Sequence, residues 1–198
     1  MRPKLTLQED PVSPLWPLFC AGSKEAFGEI AGHCYKSLHH YGTRFTGDRE
    51  MIKDCLQDLF LDIWEKRAHL SGVASPRPYL FQAFRNNLLH RIRISSRFTG
   101  IATGEELGFS SLSSETEWIQ REMTTHTDEK LQRAMELLPK RQREALYLRY
   151  YENLTYDEIA GVMGLRRQAV ANYLQYGLQK LRDYWQQIVI SLVLFLIR

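Results

Sequence analysis

Apolar side chains recur every three or four residues through residues 14–97 and again through residues 128–185. That spacing places them on one side of an α-helix, whereas a half-buried strand would alternate apolar and polar residues at every second position. No convincing alternating stretch occurs in the chain. The pattern therefore predicts an all-α fold built from two small helical domains.

Residues 98–127 separate these two stretches and differ from both in composition. Thirteen of the thirty positions are Gly, Ser or Thr, and the charged residues are five Glu and one Arg. Small polar residues in such a run are typical of a linker. We predict a flexible acidic linker there, and an apolar C-terminal tail over residues 186–198.

The clearest local signal lies in residues 154–182. Thr155 followed by Glu158 is the sequence signature of a capping box, which begins a helix. Gly164 can adopt the left-handed backbone conformation that ends a helix, and a second helix is predicted to begin near Arg166. Together these features predict a helix-turn-helix, the motif that lays its second helix in the major groove of DNA.

The second helix of this motif is predicted to have one buried and one polar side. Its apolar stripe comprises Val170, Leu174, Leu178, Leu181 and Trp185. The opposite side carries residues that can contact bases or phosphates, namely Arg167, Gln168, Asn172, Gln175, Tyr176 and Lys180. The ordinary alternative is a helical hairpin whose polar face only meets water.

The helix predicted after Asp48 has a strongly acidic outer face. Asp54, Asp58 and Asp62 recur at four-residue steps, where like charges repel by roughly a few tenths of a kcal/mol per pair. An isolated helix gains nothing from this row of acids. It predicts a docking surface for a basic partner, and the alternative is a face that is merely solvated.

The segment from Arg77 to Arg97 is basic: it contains five arginines and one histidine but no acid. Arginine pairs with phosphate, aromatic rings stack on unpaired bases, and the amides of Asn86 and Asn87 can read base edges. The segment therefore predicts binding to an opened nucleic-acid strand. An alternative that fits this segment equally well is a basic surface helix whose aromatic rings belong to the core. The aromatic residues concerned are Tyr79, Phe81 and Phe84.

Composition adds little to this picture. The net charge of +3 does not by itself indicate nucleic-acid binding. Cys20, Cys34 and Cys55 lack CxxC spacing and fit reduced thiols in the cytoplasm, and the N-terminus lacks the apolar core of a signal peptide. The six histidines show no ligand pattern, so we expect neither a metal nor another cofactor.

The stretch from Ile188 to Ile197 is apolar apart from Ser191. It is about half as long as the roughly 20 residues that span a bilayer. We interpret it as a helix end that packs on its own domain. Docking to a partner protein and attachment to a membrane surface are the alternatives.

Two stretches of the chain together resemble a known family. Residues 54–67 (DCLQDLFLDIWEKR) and residues 75–93 (SPRPYLFQAFRNNLLHRIR) are similar to region 2 of bacterial sigma-70 factors, and residues 138–182 are similar to region 4. No region 3 domain fits between them, which is typical of the extracytoplasmic-function group. The ending NYLQYGLQKLR and the apolar tail resemble Bacteroidetes-type members of that group.

The resemblance implies a transcription initiation subunit rather than an enzyme. Such a subunit binds core RNA polymerase, recognises the minus-ten and minus-thirty-five promoter elements and helps to melt the DNA. The implied polymerase contacts are Asp54, Gln57, Asp58, Phe60, Asp62 and Trp64. The implied minus-ten contacts are Arg77, Tyr79, Arg85, Asn86, His90, Arg91 and Arg93. The implied minus-thirty-five contacts are Arg166, Arg167, Gln168, Asn172, Gln175, Tyr176 and Lys180.

The recognition helix departs from the family at two positions. Ala171 and Tyr176 stand where many relatives carry a basic residue, which shifts phosphate anchoring toward Arg166, Arg167 and Lys180. Beyond polymerase and promoter DNA, the resemblance implies a membrane-spanning anti-sigma factor as partner, and no small-molecule substrate.

Two other classes of protein fit parts of the sequence. A helix-turn-helix regulator with an N-terminal interaction domain would bind DNA as a dimer and ignore core polymerase. An enzyme acting on nucleic acid would need a cluster of acids or a metal site near the basic segment, and that segment has no acid.

Overall fold

The computed structural model describes residues 10–99, Phe109 and residues 134–196, and the regular elements in these residues are helical. The all-α prediction is confirmed. Most of the predicted linker lies outside the described residues.

The helices of the first domain are α1 (Trp16–Cys20), α2 (Lys24–Gly42), α3 (Arg49–Lys66), a 3-10 turn (Arg67–His69) and α4 (Pro76–Thr99). The second domain begins with a helical turn at residues 134–136 and contains α5 (Lys140–Tyr150), α6 (Tyr156–Met163) and α7 (Arg167–Leu196).

Side-chain caps fix where α2 and α3 begin. The hydroxyl of Ser23 accepts a hydrogen bond from the backbone N–H of Ala26 at 3.1 Å, and the carboxylate of Asp48 accepts one from Met51 at 3.0 Å. Each cap satisfies an N–H that has no partner inside its helix. The predicted start of α3 at Asp48 is confirmed.

The first domain packs α2, α3 and α4 around one apolar core. The closest approach is at Gly42, where a Cβ atom would lie 3.0 Å from both Ile52 Cγ2 and Phe84 Cζ. Any larger side chain there would push α2 away from α3 and α4. The fully enclosed side chains of this core include Ile30, Leu38, Tyr41, Ile52, Leu56, Ile63, Leu80, Phe84 and Leu88.

The N-terminal segment is tied to this core through α1. The indole Nε1 of Trp16 donates to the carbonyl of Leu70 at 3.0 Å, and both Trp16 and Phe19 are buried. A buried indole N–H needs such a partner. The contact therefore fixes α1 against the turn that follows α3.

The predicted helix-turn-helix is formed by α6 and α7. Thr155 and Glu158 form a reciprocal capping box at the start of α6, and Gly164 ends the helix with a φ of 64°. At that φ a glycine has no Cβ to clash with the backbone, so the chain reverses without strain. Helix α7 begins at Arg167, one residue after the predicted start.

Removing the Thr155 hydroxyl is expected to destabilise the second domain by about 1 kcal/mol. In the Thr155→Ala variant the backbone N–H of Glu158 loses its acceptor, which lies 3.3 Å away in the wild type. Urea denaturation measures the change in unfolding free energy. Thr155→Ser keeps the hydroxyl and serves as the control; equal losses in both variants would contradict a role for the cap.

The two domains pack directly on each other. Helix α4 of the first domain contacts α6 of the second, and the buried residues of both domains belong to one cluster. Phe109 joins the same cluster at 3% exposure, although its neighbours in sequence lie outside the described residues. The domains are thus held in a closed arrangement, and the sequence did not predict their relative orientation.

Candidate polymerase- and DNA-binding surfaces

The predicted acidic face of α3 is present and exposed. Asp54, Gln57, Asp58 and Asp62 all lie on the solvent side of the helix. Leu61 lies among them with 53% of its side chain exposed. Leu61 was not among the predicted contacts, although its position three residues after Asp58 and four after Gln57 places it on the same face.

The two aromatic residues predicted for this surface lie underneath it. Phe60 and Trp64 are half-buried, and their ring centroids lie 6.2 Å and 5.0 Å from that of Phe27 on α2. The guanidinium of Arg67 covers the Trp64 ring at 4.5 Å. These rings support the acidic face from below, and only their outer parts are open to a partner.

The acids of α3 have basic neighbours within the chain. Arg91 of α4 forms an ion pair with Asp58 and lies 3.7 Å from Asp54, while Lys66 pairs with Asp62. The charge of this row is therefore partly balanced within the chain. All of these acids are about half exposed or more, and exposed ion pairs contribute only about 0–1 kcal/mol, so a partner can displace them.

Four of the seven predicted minus-ten residues share one face of α4. Tyr79, Asn86, His90 and Arg93 follow one another at i, i+7, i+11 and i+14, which brings them to the same side of a helix. Asn86, His90 and Arg93 are exposed, and Tyr79 is half-buried with its ring 6.2 Å from that of Trp16. This face offers an amide, two basic side chains and part of an aromatic ring.

The remaining aromatic candidates on α4 belong to the core. Phe81 and Phe84 are 1% and 0% exposed, so neither ring can stack on a base. For these two residues the alternative interpretation, a basic surface helix with a buried aromatic side, is correct.

Arg85 points away from the exposed face and into the contact between the domains. Its Nε donates to Oε1 of Glu144 on α5 at 2.6 Å, and its Nη2 donates to Oε2 at 3.2 Å. The hydroxyl of Tyr41 on α2 also donates to Glu144 Oε1 at 2.6 Å. Glu144 is 2% exposed, so a buried carboxylate of the second domain is held entirely by groups of the first.

Arg77 makes a second bridge of the same kind. It forms an ion pair with the carboxylate of Glu152, and its Nη1 donates to the Glu152 carbonyl at 2.8 Å. The hydroxyl of Tyr147 donates to Glu152 Oε1 at 2.9 Å, and Glu152 is 1% exposed. Each buried acid therefore has one arginine and one tyrosine as partners, which offsets the cost of its desolvation.

The surroundings of these groups shift their pKa values in opposing ways. Burial raises the pKa of Glu152, while the charge of Arg77 and the Tyr147 hydrogen bond oppose that rise. Burial alone would lower the pKa of the Arg85 guanidinium, but the hydrogen bond and charge of Glu144 outweigh it and raise the pKa. Burial also raises the pKa of Tyr41 well above its ordinary value, so its hydroxyl stays a donor.

The predicted DNA-reading face of α7 is open. Arg166, Arg167, Gln168, Gln175, Tyr176 and Lys180 are exposed, and Asn172 is half-buried. Within this set Gln168 Nε2 donates to Asn172 Oδ1 at 3.1 Å, and Arg167 Nε lies 3.2 Å from Asp157 of α6. Because these two contacts are exposed and join nearby residues, all seven side chains are free to reorient and contact a ligand.

The buried stripe of α7 differs from the prediction at one position. Val170 and Leu174 are buried, but Leu178 is 38% exposed and Gly177 takes its place against α5. A Cβ at Gly177 would lie 2.9 Å from Leu146 Cδ1, so the two helices touch there. Leu181 is half-buried, and the side chain of Trp185 lies outside the described residues.

Within residues 10–99, 109 and 134–196, no group of three or more His, Cys, Asp or Glu side chains is placed to hold a metal ion. Nor does any helix in that part of the chain combine the length and apolarity needed to cross a membrane. The backbone of the apolar tail continues α7 as far as Leu196.

Family models match both domains. A model for sigma-70 region 2 matches residues 30–98, and a model for sigma-70 region 4 matches residues 128–181. The order of the two regions agrees with the resemblance seen in the sequence.

Similar curated proteins come from several bacteria. A probable RNA polymerase sigma factor of Xanthomonas campestris, RfaY, is 28% identical over 171 residues, which are 84% of this chain but 42% of that protein. The RNA polymerase sigma factor YlaC of Bacillus subtilis is 24% identical, covering 71% of this chain and 81% of its own length. The ECF RNA polymerase sigma factor RpoE of Cereibacter sphaeroides is 24% identical, covering 80% of this chain and 86% of its own length.

Two solved structures share the fold. CnrH in complex with the cytosolic domain of CnrY superposes with a TM-score of 0.59 at 19% identity, over 90% of this chain and 99% of that one. The sigma factor RpoE in complex with the anti-sigma factor NepR from Bartonella quintana also gives 0.59, at 15% identity, over 82% and 98% of the two chains.

Proposed function

Because the chain belongs to the sigma-70 family of RNA polymerase sigma factors, in the extracytoplasmic-function group, we propose that it binds core RNA polymerase and directs it to promoters. It recognises the minus-ten and minus-thirty-five elements and helps to melt the DNA. The observation that carries the proposal is the presence of region 2 and region 4 in one chain, together with the exposed polar face of α7, the recognition helix of region 4. The subunit has a binding role and no catalytic one.

The acidic face of α3 is the proposed docking surface for core polymerase. Asp54, Asp58 and Asp62 supply negative charge, and exposed Leu61 supplies an apolar contact at the centre of the face. Gln57 adds a hydrogen-bonding group. A central apolar residue surrounded by charged ones is the usual composition of a protein interface.

The exposed face of α4 is the proposed minus-ten surface. Asn86 holds a flipped base of the non-template strand, with the partly exposed Tyr79 ring on the same face, and His90 and Arg93 contact the backbone. Arg77, Arg85 and Arg91 are engaged by Glu152, Glu144 and Asp58, so their proposed contacts with DNA require those ion pairs to break.

The N-terminal half of α7 is the proposed minus-thirty-five surface. Gln168 and Asn172 contact base edges in the major groove, while Arg166, Arg167 and Lys180 contact phosphates. Gln175 and Tyr176 extend the same exposed face. The domain boundaries proposed for these roles are residues 14–97 and 128–185.

An anti-sigma factor is the proposed regulatory partner, and the cytoplasm is the proposed compartment. One structural neighbour, RpoE from Bartonella quintana, is a sigma factor seen in complex with the anti-sigma factor NepR, which favours such a partner here. Whether the chain is of the Bacteroidetes type and whether its anti-sigma factor spans the membrane stay predictions.

In vitro transcription with purified core polymerase tests the proposed function. Core polymerase with the chain is expected to start RNA synthesis at discrete sites on genomic DNA, whereas core alone is not. A helix-turn-helix regulator would bind DNA without being retained by core, so absence of both retention and specific starts would favour that alternative.

The Asn86→Ala variant is expected to lower promoter opening about tenfold, because losing a hydrogen bond to an extruded base costs about 1–1.5 kcal/mol. Permanganate reactivity of unpaired thymines measures opening, and filter binding at low temperature measures the closed complex, which should be unchanged. Asn87→Ala removes the neighbouring amide, which is turned about 100° around α4, and is the matched control. A footprint equal to wild type would contradict the role of Asn86.

A further inference from the structure

We propose that the C-terminal part of α7 attaches the chain to the surface of a phospholipid membrane that contains anionic lipids. The lipid-binding segment is residues 180–197, in which two basic residues and two aromatic residues precede an apolar run. The proposal goes beyond the proposed role in transcription and does not depend on it.

Helix α7 is much longer than the helices of its own domain that pack on it. It contains 30 residues, whereas α5 contains 11 and α6 contains 8. At about 1.5 Å per residue, these helices are about 45, 16 and 12 Å long. In the described part of the chain, the main packing partners of α7 are α5 and α6. They can therefore cover only part of its length.

The buried part of α7 ends near Gly177. A Cβ there would lie 2.9 Å from Leu146 Cδ1 and 3.9 Å from Gln142 Cβ, close to the start of α5. The next residue, Leu178, is already 38% exposed. Among residues 178–186 whose side chains the structure describes, none is fully buried. The helix thus leaves the core of the second domain before the apolar run begins.

The run that follows is apolar around the whole helix axis. The backbone of α7 stays helical as far as Leu196, and Ser191 is the one polar residue in positions 188–196. Successive residues of a helix are turned by about 100°, so nine of them occupy every side. A neighbouring protein helix covers one stripe, whereas an all-round apolar helix is typical of complete burial or of lipid.

A second copy of the chain fits this part of α7 less well. One stripe has the spacing of a coiled coil, in alternating steps of four and three residues: Leu174, Leu178, Leu181, Trp185, Ile188, Leu192 and Phe195. Pairing along that stripe would leave the opposite side of the helix uncovered, where Ile190 and Leu194 stand. Lipid covers both sides, so it accounts for the whole run.

The residues before the run match the headgroup layer of a membrane. Lys180 and Arg182 are exposed, and Tyr184 and Trp185 come directly after them. Basic side chains are attracted to anionic lipids, while Tyr and Trp are enriched at the level of the headgroups. Asp183 is the one acid in residues 180–197. The order of basic, aromatic and apolar residues therefore favours a lipid surface as the partner.

The length of the run sets how deeply it enters the lipid. Residues 188–196 are about 14 Å long as a helix, or half of the roughly 30 Å hydrocarbon core of a bilayer. The segment therefore enters from one side without crossing. Arg198 follows the run, and an oblique helix within one leaflet keeps its charge near the headgroups.

Flotation of the full-length chain with vesicles tests the attachment. Wild type is expected to float with vesicles of phosphatidylethanolamine and phosphatidylglycerol. The Ile190→Asp/Leu194→Asp variant is expected to bind these vesicles at least ~10-fold more weakly, because carboxylates are costly in hydrocarbon. Both positions lie opposite the coiled-coil stripe, so pairing of two copies along that stripe remains possible in this variant.

The matched control introduces the same charge on another surface. Leu18→Asp/Tyr35→Asp replaces two apolar side chains of the first domain that are 57% and 44% exposed. This control should float as wild type does. Thermal unfolding followed by circular dichroism should show that both variants remain folded.

A second variant tests the attraction to charged headgroups. Lys180→Gln/Arg182→Gln is expected to weaken binding to the phosphatidylglycerol vesicles roughly tenfold, because each basic residue contributes to attraction by the surface charge. Its binding to neutral phosphatidylcholine vesicles should equal that of wild type. An equal loss on both kinds of vesicle would contradict the role of the two basic residues.

Three results would overturn the lipid attachment. A wild type that stays at the bottom of the gradient with both kinds of vesicle does not bind lipid. Equal flotation of wild type and the Ile190/Leu194 variant places the lipid contact outside the apolar run. A dimer of both proteins in light scattering, with neither floating, assigns the stripe to a second copy. None of these measurements involves core polymerase, so they leave the proposed function to its own test.

Discussion

Replacing Asp58 and Asp62 with lysine is expected to weaken binding of the chain to core RNA polymerase by more than ~100-fold, or about 2.7 kcal/mol. The two changes reverse the charge at the centre of the exposed face of α3, on either side of Leu61. Charge reversal places like charges against the basic surface that we propose as the partner, and such contacts cost several kcal/mol in an interface. Fluorescence anisotropy of labelled chain titrated with core measures the loss.

The control for this experiment carries the same change in charge elsewhere. Glu29 and Glu136 are exposed, one in each domain, and their replacement by lysine adds the same four units of positive charge. The control should bind core nearly as wild type does. Both proteins should keep their helix content, since the ion pairs lost at Asp58 and Asp62 are exposed and contribute little. Unchanged core affinity in the Asp58/Asp62 variant would show that α3 is not the docking surface.

The Phe84→Ala variant is expected to lower the unfolding free energy of the first domain by about 3–5 kcal/mol. Phe84 is 0% exposed and lies at the close approach of α2 to α4, where Gly42 leaves room for its ring. Gly42 itself has no side chain that could move into the space left by the ring. Since small domains have about 5–15 kcal/mol of stability in total, this loss approaches unfolding.

Urea denaturation followed by circular dichroism measures this loss. Tyr35→Ala, which removes a ring that is 44% exposed on α2, is the matched control and should cost less than about 1 kcal/mol. Phe84→Leu refills part of the cavity and should recover much of the stability. A Phe84→Ala variant no less stable than the Tyr35 variant would mean that the core around α4 is not packed as described.

The sequence by itself determined the elements and most of their exposed faces. The caps at Asp48 and Thr155, the turn at Gly164 and the open polar side of α7 follow from contacts within a few residues and from helical periodicity. Such contacts are fixed by neighbouring residues, so they can be predicted without knowledge of the rest of the fold.

Only the tertiary structure decided how these faces are used within the closed chain. In the sequence, Glu144 resembles an exposed helix residue and Glu152 resembles a turn residue. Both are buried in the structure, because Arg85 pairs with Glu144 from 59 residues away and Arg77 pairs with Glu152 from 75 residues away. The same holds for Leu178, whose predicted core position is taken by Gly177 where α5 and α7 approach closely. Burial of a charge depends on a partner distant in sequence, and helical periodicity carries no information about that partner.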